Sequence, residues 1–195
     1  MKISISQGNT KMGKVPSISL PPIKSCGNCK SCAKHCYAMK AYRMYEATRN
    51  AYDRNYELAT EDGGEYFKQI DEYLKKNKPK VFRWHVAGDI LSPIYFCGIV
   101  KVVVNNPSTT FLIFTKMYNI VNEFYSYFKI PKNLKVFFSV WLNEEIDNPY
   151  GFSTARTVAK GETSLHDGFI CEGNCEACMA CFEAKHGSKV IFEMH

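Results

Sequence analysis

Between residues 80 and 141 the chain repeats one unit, and that repetition restricts the fold more than any other feature. Apolar and β-branched runs at 80–86, 110–115 and 134–141 read as strands, and amphipathic stretches at 93–104 and 119–128 read as helices. Strands that alternate with helices need crossover connections, so the middle third implies a parallel βαβαβ core of the α/β class, with a partial (β/α) barrel as its curled form. Around this core, residues 1–24 read as extended chain with one hairpin. A Gly- and Pro-free stretch at 37–59 carries Tyr42, Tyr45, Tyr52 and Tyr56 on one helical face, and a second helix spans 65–76 after Gly63 and Gly64. Residues 143–169 read as a long loop and 189–192 as a last strand. One domain over residues 1–195 is expected: an extended segment at 1–36, an αβ core at 37–142 and a tail at 143–195.

Eight of the nine cysteines fall in two groups near the two ends: Cys26, Cys29, Cys32 and Cys36, then Cys171, Cys175, Cys178 and Cys181. The ninth, Cys97, stands between Phe96 and Gly98 and reads as a small buried hydrophobe. The first ten residues lack the charged-then-apolar layout of an export signal, and no apolar run reaches spanning length. A cytoplasmic location without a membrane partner is therefore expected, and clustered cysteines in a reducing compartment point to metal rather than disulfides.

The first group has the C-x2-C-x2-C-x3-C spacing with which one loop of a bacterial ferredoxin wraps a cubane, with Tyr37 where such loops carry proline. The second, C-x3-C-x2-C-x2-C, reverses that order, and its first three cysteines have the spacing of radical S-adenosylmethionine enzymes. One or two [4Fe–4S] clusters are the expected cofactors. Zinc in all-thiolate sites is the competing reading.

Charge is distributed unevenly. Residues 1–54 hold ten Lys or Arg against Glu46 and Asp53, whereas residues 143–181 hold seven acids against Arg156 and Lys160. Opposite local charges on the segments bearing the two groups favour their docking. Lys24, Lys30 and Lys34 suit the anionic charge of a thiolate-bound cluster. His35 could stand in for a cysteine ligand, while His166, His186 and His195 point to nothing individually. In a parallel sheet functional groups gather at the carboxyl ends of strands. That rule selects His85, placed on one face with Val81 and Arg83, then Asp89 after Gly88, Thr115 and Lys116 at the end of the next strand, and Ser139 on the third.

Five short stretches together resemble the phage "gene product 88" family of predicted iron-sulfur proteins. They are SISLPP from Ser17, CYA from Cys36, RWHVAGD from Arg83, FTK from Phe114 and CF at Cys181. The resemblance implies a phage or mobile-element protein with no settled activity. It extends more distantly to radical S-adenosylmethionine-like proteins, whose triad spacing is met at Cys32 and Cys36 with Met39 in the third place. Three functions follow as expectations. The first is redox or radical-type chemistry on a bound small molecule or nucleotide, with His85, Asp89 and Lys116 as catalytic residues and S-adenosylmethionine as a possible cofactor. The second is a ferredoxin-like electron carrier with a redox partner. The third, less favoured, is a zinc-stapled nucleic-acid-binding module using the tyrosine face with Lys40, Arg43 and Arg54.

Overall fold

Period-two alternation sorts the strand residues onto the two faces of a single sheet, and each face is covered by a different part of the chain. The computed structural model describes residues 1–29 and 31–194; Lys30 and His195 lie outside the described residues. The strands are β1 (Ser17–Ile18), β2 (Val81–Trp84), β3 (Thr110–Thr115), β4 (Leu134–Trp141), β5 (Ser153–Val158), β6 (Phe169–Ile170) and β7 (Lys189–Glu193). They form a seven-stranded, all-parallel sheet in the order β1-β2-β3-β4-β5-β7-β6. Phe82, Trp84, Phe111, Ile113, Val136 and Phe138 point to the main core. Their alternates Leu112, Phe137, Ala155 and Val190 point to a second, smaller core on the other side.

The main core is closed by α2 (Glu46–Glu61), α3 (Gly63–Asn77), α4 (Pro93–Asn105) and α5 (Tyr118–Tyr127), through Leu58, Ile70, Leu74, Phe96, Ile99, Val103 and Val121. Local chemistry fixes the starts of two of these helices. The Asp62 side chain accepts the Glu65 N–H, and Ser92 accepts the Tyr95 N–H ahead of Pro93. Gly63 and Gly64 therefore open α3 instead of separating two helices. The single helix expected at 37–59 is divided at Tyr45, whose extended backbone (φ −114°, ψ 109°) separates α1 (Tyr37–Met44) from α2. The turn lets Tyr42 stack on Tyr52 and donate its hydroxyl to Asp53 at 2.6 Å, so the four tyrosines do not form one continuous face. Cys97, expected inside, is exposed on α4.

Close approach of α3 and α4 depends on Gly98, where an added Cβ would lie 2.2 Å from the Phe67 ring. Gly98→Ala should destabilise the chain by ~1–3 kcal/mol through overpacking, despite alanine's better helix propensity. Urea unfolding checks this, and Phe67→Ala in the same chain should recover part of the loss.

The second core is closed by the N-terminal turn carrying Met12 and Val15, and by the segment after β6 with α6 (Cys175–Cys178) and α7 (Ala180–Glu183). The expected loop at 143–169 contains β5, which pairs with both β4 and β7. Both cysteine segments are thus docked on one α/β sheet, as the sequence suggests, but they sit at different places on it.

Candidate functional site

The carboxyl ends of β2, β3 and β4 carry the first cysteine group. β2 ends at Trp84 because His85 takes a left-handed backbone (φ 53°), which breaks the strand alternation. The expected shared face with Arg83 is lost, and His85 turns into the main core to stack on Tyr95. Its Nε2 lies 3.0 Å from the Tyr95 hydroxyl, which lies 3.0 Å from that of Tyr66. Burial, reinforced by Arg83, holds the His85 imidazole down at about 3, so the ring is neutral near neutral pH. Its Nδ1 is buried without a hydrogen-bond partner among the described residues.

Asp89 joins the ends of β2 and β3. One carboxylate oxygen accepts the Ile90 N–H at 2.7 Å and the Thr115 hydroxyl at 2.6 Å; the other accepts the Lys116 N–H at 2.8 Å. Burial outweighs these bonds and raises the carboxyl to about 6. Lys116 extends the connection outward, its Nζ lying 2.9 Å from Glu144 and 3.2 Å from the Ser31 hydroxyl, while its carbonyl accepts from Asn28. At Gly88 (φ 82°) a Cβ would lie 2.5 Å from the Ser25 hydroxyl, so glycine permits the cysteine loop to rest on this edge. His35 stacks on Trp141 at the end of β4, and the Tyr37 hydroxyl donates to the Val86 carbonyl. Ser139 lends only its carbonyl, which accepts from Tyr118.

Within this loop all four thiols are free and half-buried. Burial pushes Cys26 up to about 12, with Asp89, Cys29 and Cys36 adding to the effect. Burial also raises Cys32, against the opposing pull of Lys116. A cleft of about 1110 Å³ opens at Cys26 and Gly27 and runs between α2, α3 and α4 past Lys24, Tyr95, Cys97 and Lys101.

The second group lies on the face of the sheet away from α2, α3, α4 and α5. The Cys171 N–H donates to the Ile191 carbonyl and that of Cys175 to the Lys11 carbonyl. Glu176 accepts the Lys14 N–H at 3.1 Å. The acidic segment therefore docks on the basic N-terminal turn, not on the first cysteine loop. Met179, left-handed at φ 51°, breaks the chain between α6 and α7. All four cysteines line one cavity of about 40 Å³, with Arg83, Met12, Phe114 and Phe192. Burial pushes Cys181 up to about 12, Cys171 and Cys175 adding and Arg83 opposing. Cys175 is raised by the same burial. As they stand, no three His, Cys, Asp or Glu side chains among the described residues are arranged to hold a metal ion.

Sequence reasoning missed Arg83, Tyr95 and Glu144. Arg83 did leave a signal, being the single charge within an apolar strand.

An all-parallel α/β sheet with one four-thiol segment across its strand ends and another on its open face defines a cysteine-rich α/β protein. The chain belongs to the gene product 88 family, whose model matches residues 3–187. Among curated proteins, the Gene 88 protein of Mycobacterium phage L5 is 31% identical over 125 residues, covering 56% of this chain and 51% of that protein. The Gene 88 protein of Mycobacterium phage D29 is 29% identical over 147 residues, covering 68% of this chain and 59% of that protein. The chain thus spans between half and three fifths of the length of the relatives it matches. No solved structure matches it. Among the described residues no helix is long and apolar enough to cross a membrane.

Proposed function

We propose that this chain is an iron-sulfur protein of phage or mobile-element origin, each cysteine group holding one cubane. The observation that carries the reading is that all four cysteines of the second group line one cavity. The donor set fits, since soft thiolates suit iron-sulfur clusters. Half-buried thiols with raised pKa values keep their protons until a metal takes their place, so cluster binding would release protons from Cys26, Cys32, Cys175 and Cys181.

Cys26, Cys29, Cys32 and Cys36 would hold a cluster across the strand ends, beside the cleft and above Asp89 and Lys116. Held by all four thiols, a cluster there would supply electron transfer; held by three, with one iron left open to S-adenosylmethionine, it would supply radical-type chemistry on a small molecule or nucleotide. The chain's own groups have separable parts in this. Lys116 offers an ammonium group to an anionic ligand, Asp89 fixes the two strand ends relative to each other, and neutral His85 acts through Tyr95 as a positioning residue.

Anaerobic reconstitution followed by assay of iron, sulfide and zinc tests the reading. Two cubanes require about eight iron and eight sulfide per chain, and Cys175→Ala with Cys181→Ala should remove about half. A colourless chain with stoichiometric zinc and no labile sulfide would overturn the proposal in favour of a zinc-stapled module.

A further inference from the structure

Arg83 is the one charged side chain that β2 sends toward the second core. Its Nε is shielded from solvent and has no hydrogen-bond partner among the described residues. One Nη donates to the Met12 sulfur at 3.4 Å, a weak acceptor, and the guanidinium sits over the Phe114 ring, 4.8 Å from its centroid. Among the described residues no carboxylate pairs with it. Glu172 lines the same cavity without forming an ion pair, and Lys11, also on its wall, adds a further positive charge.

Arg83 is half-buried, with its Nε shielded, and a partly desolvated charge without an anionic partner is costly. Lysine or histidine in such a place could shed its proton, but arginine cannot. The guanidinium therefore favours an anion beside it, and it shares the cavity wall with Cys171, Cys175, Cys178 and Cys181. As thiols these groups are neutral and leave Arg83 uncompensated. As ligands of a cluster they would carry net negative charge on the wall of the same partly shielded cavity, where opposite charges attract more than in open water.

We infer that Arg83 is the counter-charge of the second cysteine group, placed to stabilise a thiolate-bound cluster there and to hold its reduction potential up. The inference rests on the iron-sulfur reading and adds to it the residue that sets the charge balance of one site. At the first group the nearby charges are mixed, with Asp89 near Cys26 and Lys116 near Cys32.

The test uses the full chain with Arg83→Met and Arg83→Lys, measured free of metal and after anaerobic reconstitution. Methionine matches the arginine stem in shape and removes the uncompensated charge. The metal-free Arg83→Met chain should therefore melt no lower than the parent. The reconstituted chain should retain several-fold less iron and sulfide at the second group, and any cluster remaining there should have a more negative potential. Arg83→Lys should stay near the parent in cluster retention and potential. In a Cys175→Ala, Cys181→Ala background the effect of Arg83→Met on iron content should vanish.

A prop for Phe114 and Met12 would behave differently, losing stability and cluster together; that result overturns the inference. Unchanged iron retention and potential in Arg83→Met does so as well. If the parent chain takes up no iron or sulfide at all, the functional reading itself fails and the inference falls with it.

Discussion

Trp84→Ala should cost roughly 3–5 kcal/mol, a large part of the stability of a domain held together by about 5–15 kcal/mol. Trp84 is fully buried at the last position of β2, where it pairs with Ile18 of β1 and Ile113 of β3. Its ring meets Phe67, Phe82, Phe111 and His85, with centroids between 5.5 and 6.4 Å apart. Truncation would leave a cavity where the helix layer, the sheet and the turn into His85 meet. Trp84→Phe is the informative companion, because the indole N–H has no hydrogen-bond partner among the described residues. Phenylalanine keeps much of the packing and removes an unsatisfied donor, so its cost should stay within ~2 kcal/mol. Urea unfolding with an unchanged m-value would measure both. Equal losses for the two variants would mean that the ring's contacts are not what holds this junction.

Acid stability should depend on two buried groups acting in opposite directions. The folded-state pKa of His85 is depressed to about 3, so the unfolded chain takes up its proton first as pH falls. Stability tied to the neutral ring is complete above about pH 6.5 and is lost toward pH 3, by roughly 4–5 kcal/mol in all. Asp89 has the reverse sign. Its folded-state pKa is raised to about 6, so the folded chain takes up the proton first and gains up to about 3 kcal/mol between pH 6 and 4. The two nearly cancel over that range. Asp89→Asn removes the gain, and its stability should fall behind the parent's by a growing margin, reaching about 3 kcal/mol at pH 4 relative to the difference at pH 7. Parallel stability curves for the two proteins would show that Asp89 is ionised throughout, held by Thr115 and the two backbone N–H groups.

Much of the architecture was legible because its signals are local. The strands at 81–84, 110–115 and 134–141 and the helix at 93–105 lie within a few residues of their expected bounds, since alternation and capping are properties of short windows. β5 was hidden because Ser153, Thr154 and Thr157 read as loop residues, and nothing in the local pattern announces that they lie between two other strands. His85 was misplaced by extending the alternation one residue too far. A left-handed residue there depends on the tertiary partner, Tyr95, which no count along the strand reveals. The position of Asp89 and Lys116 beside the first cysteine group followed from the rule that parallel strands present their carboxyl ends to one side. The seat of the second group did not. Complementary charge suggested that the two cysteine segments would meet, but the acidic one found its basic partner at Lys11 and Lys14, before β1, instead of around Cys26.

The outermost strands, β1 and β6, are two residues long. A margin this short gives another chain little backbone to pair with, which guards against sheet-to-sheet aggregation. On the β1 side, Ser17 is also bridged by Ser6. Past β6 the next residue is Cys171, and past β1 the chain reaches Cys26 within eight residues. Oxidation that cross-linked either cysteine segment would therefore act at a border of the sheet, where distortion could expose Phe169 and Ile170, already half in solvent. For anyone handling the protein, air is then a colloidal hazard as well as a chemical one, and reductant should suppress turbidity.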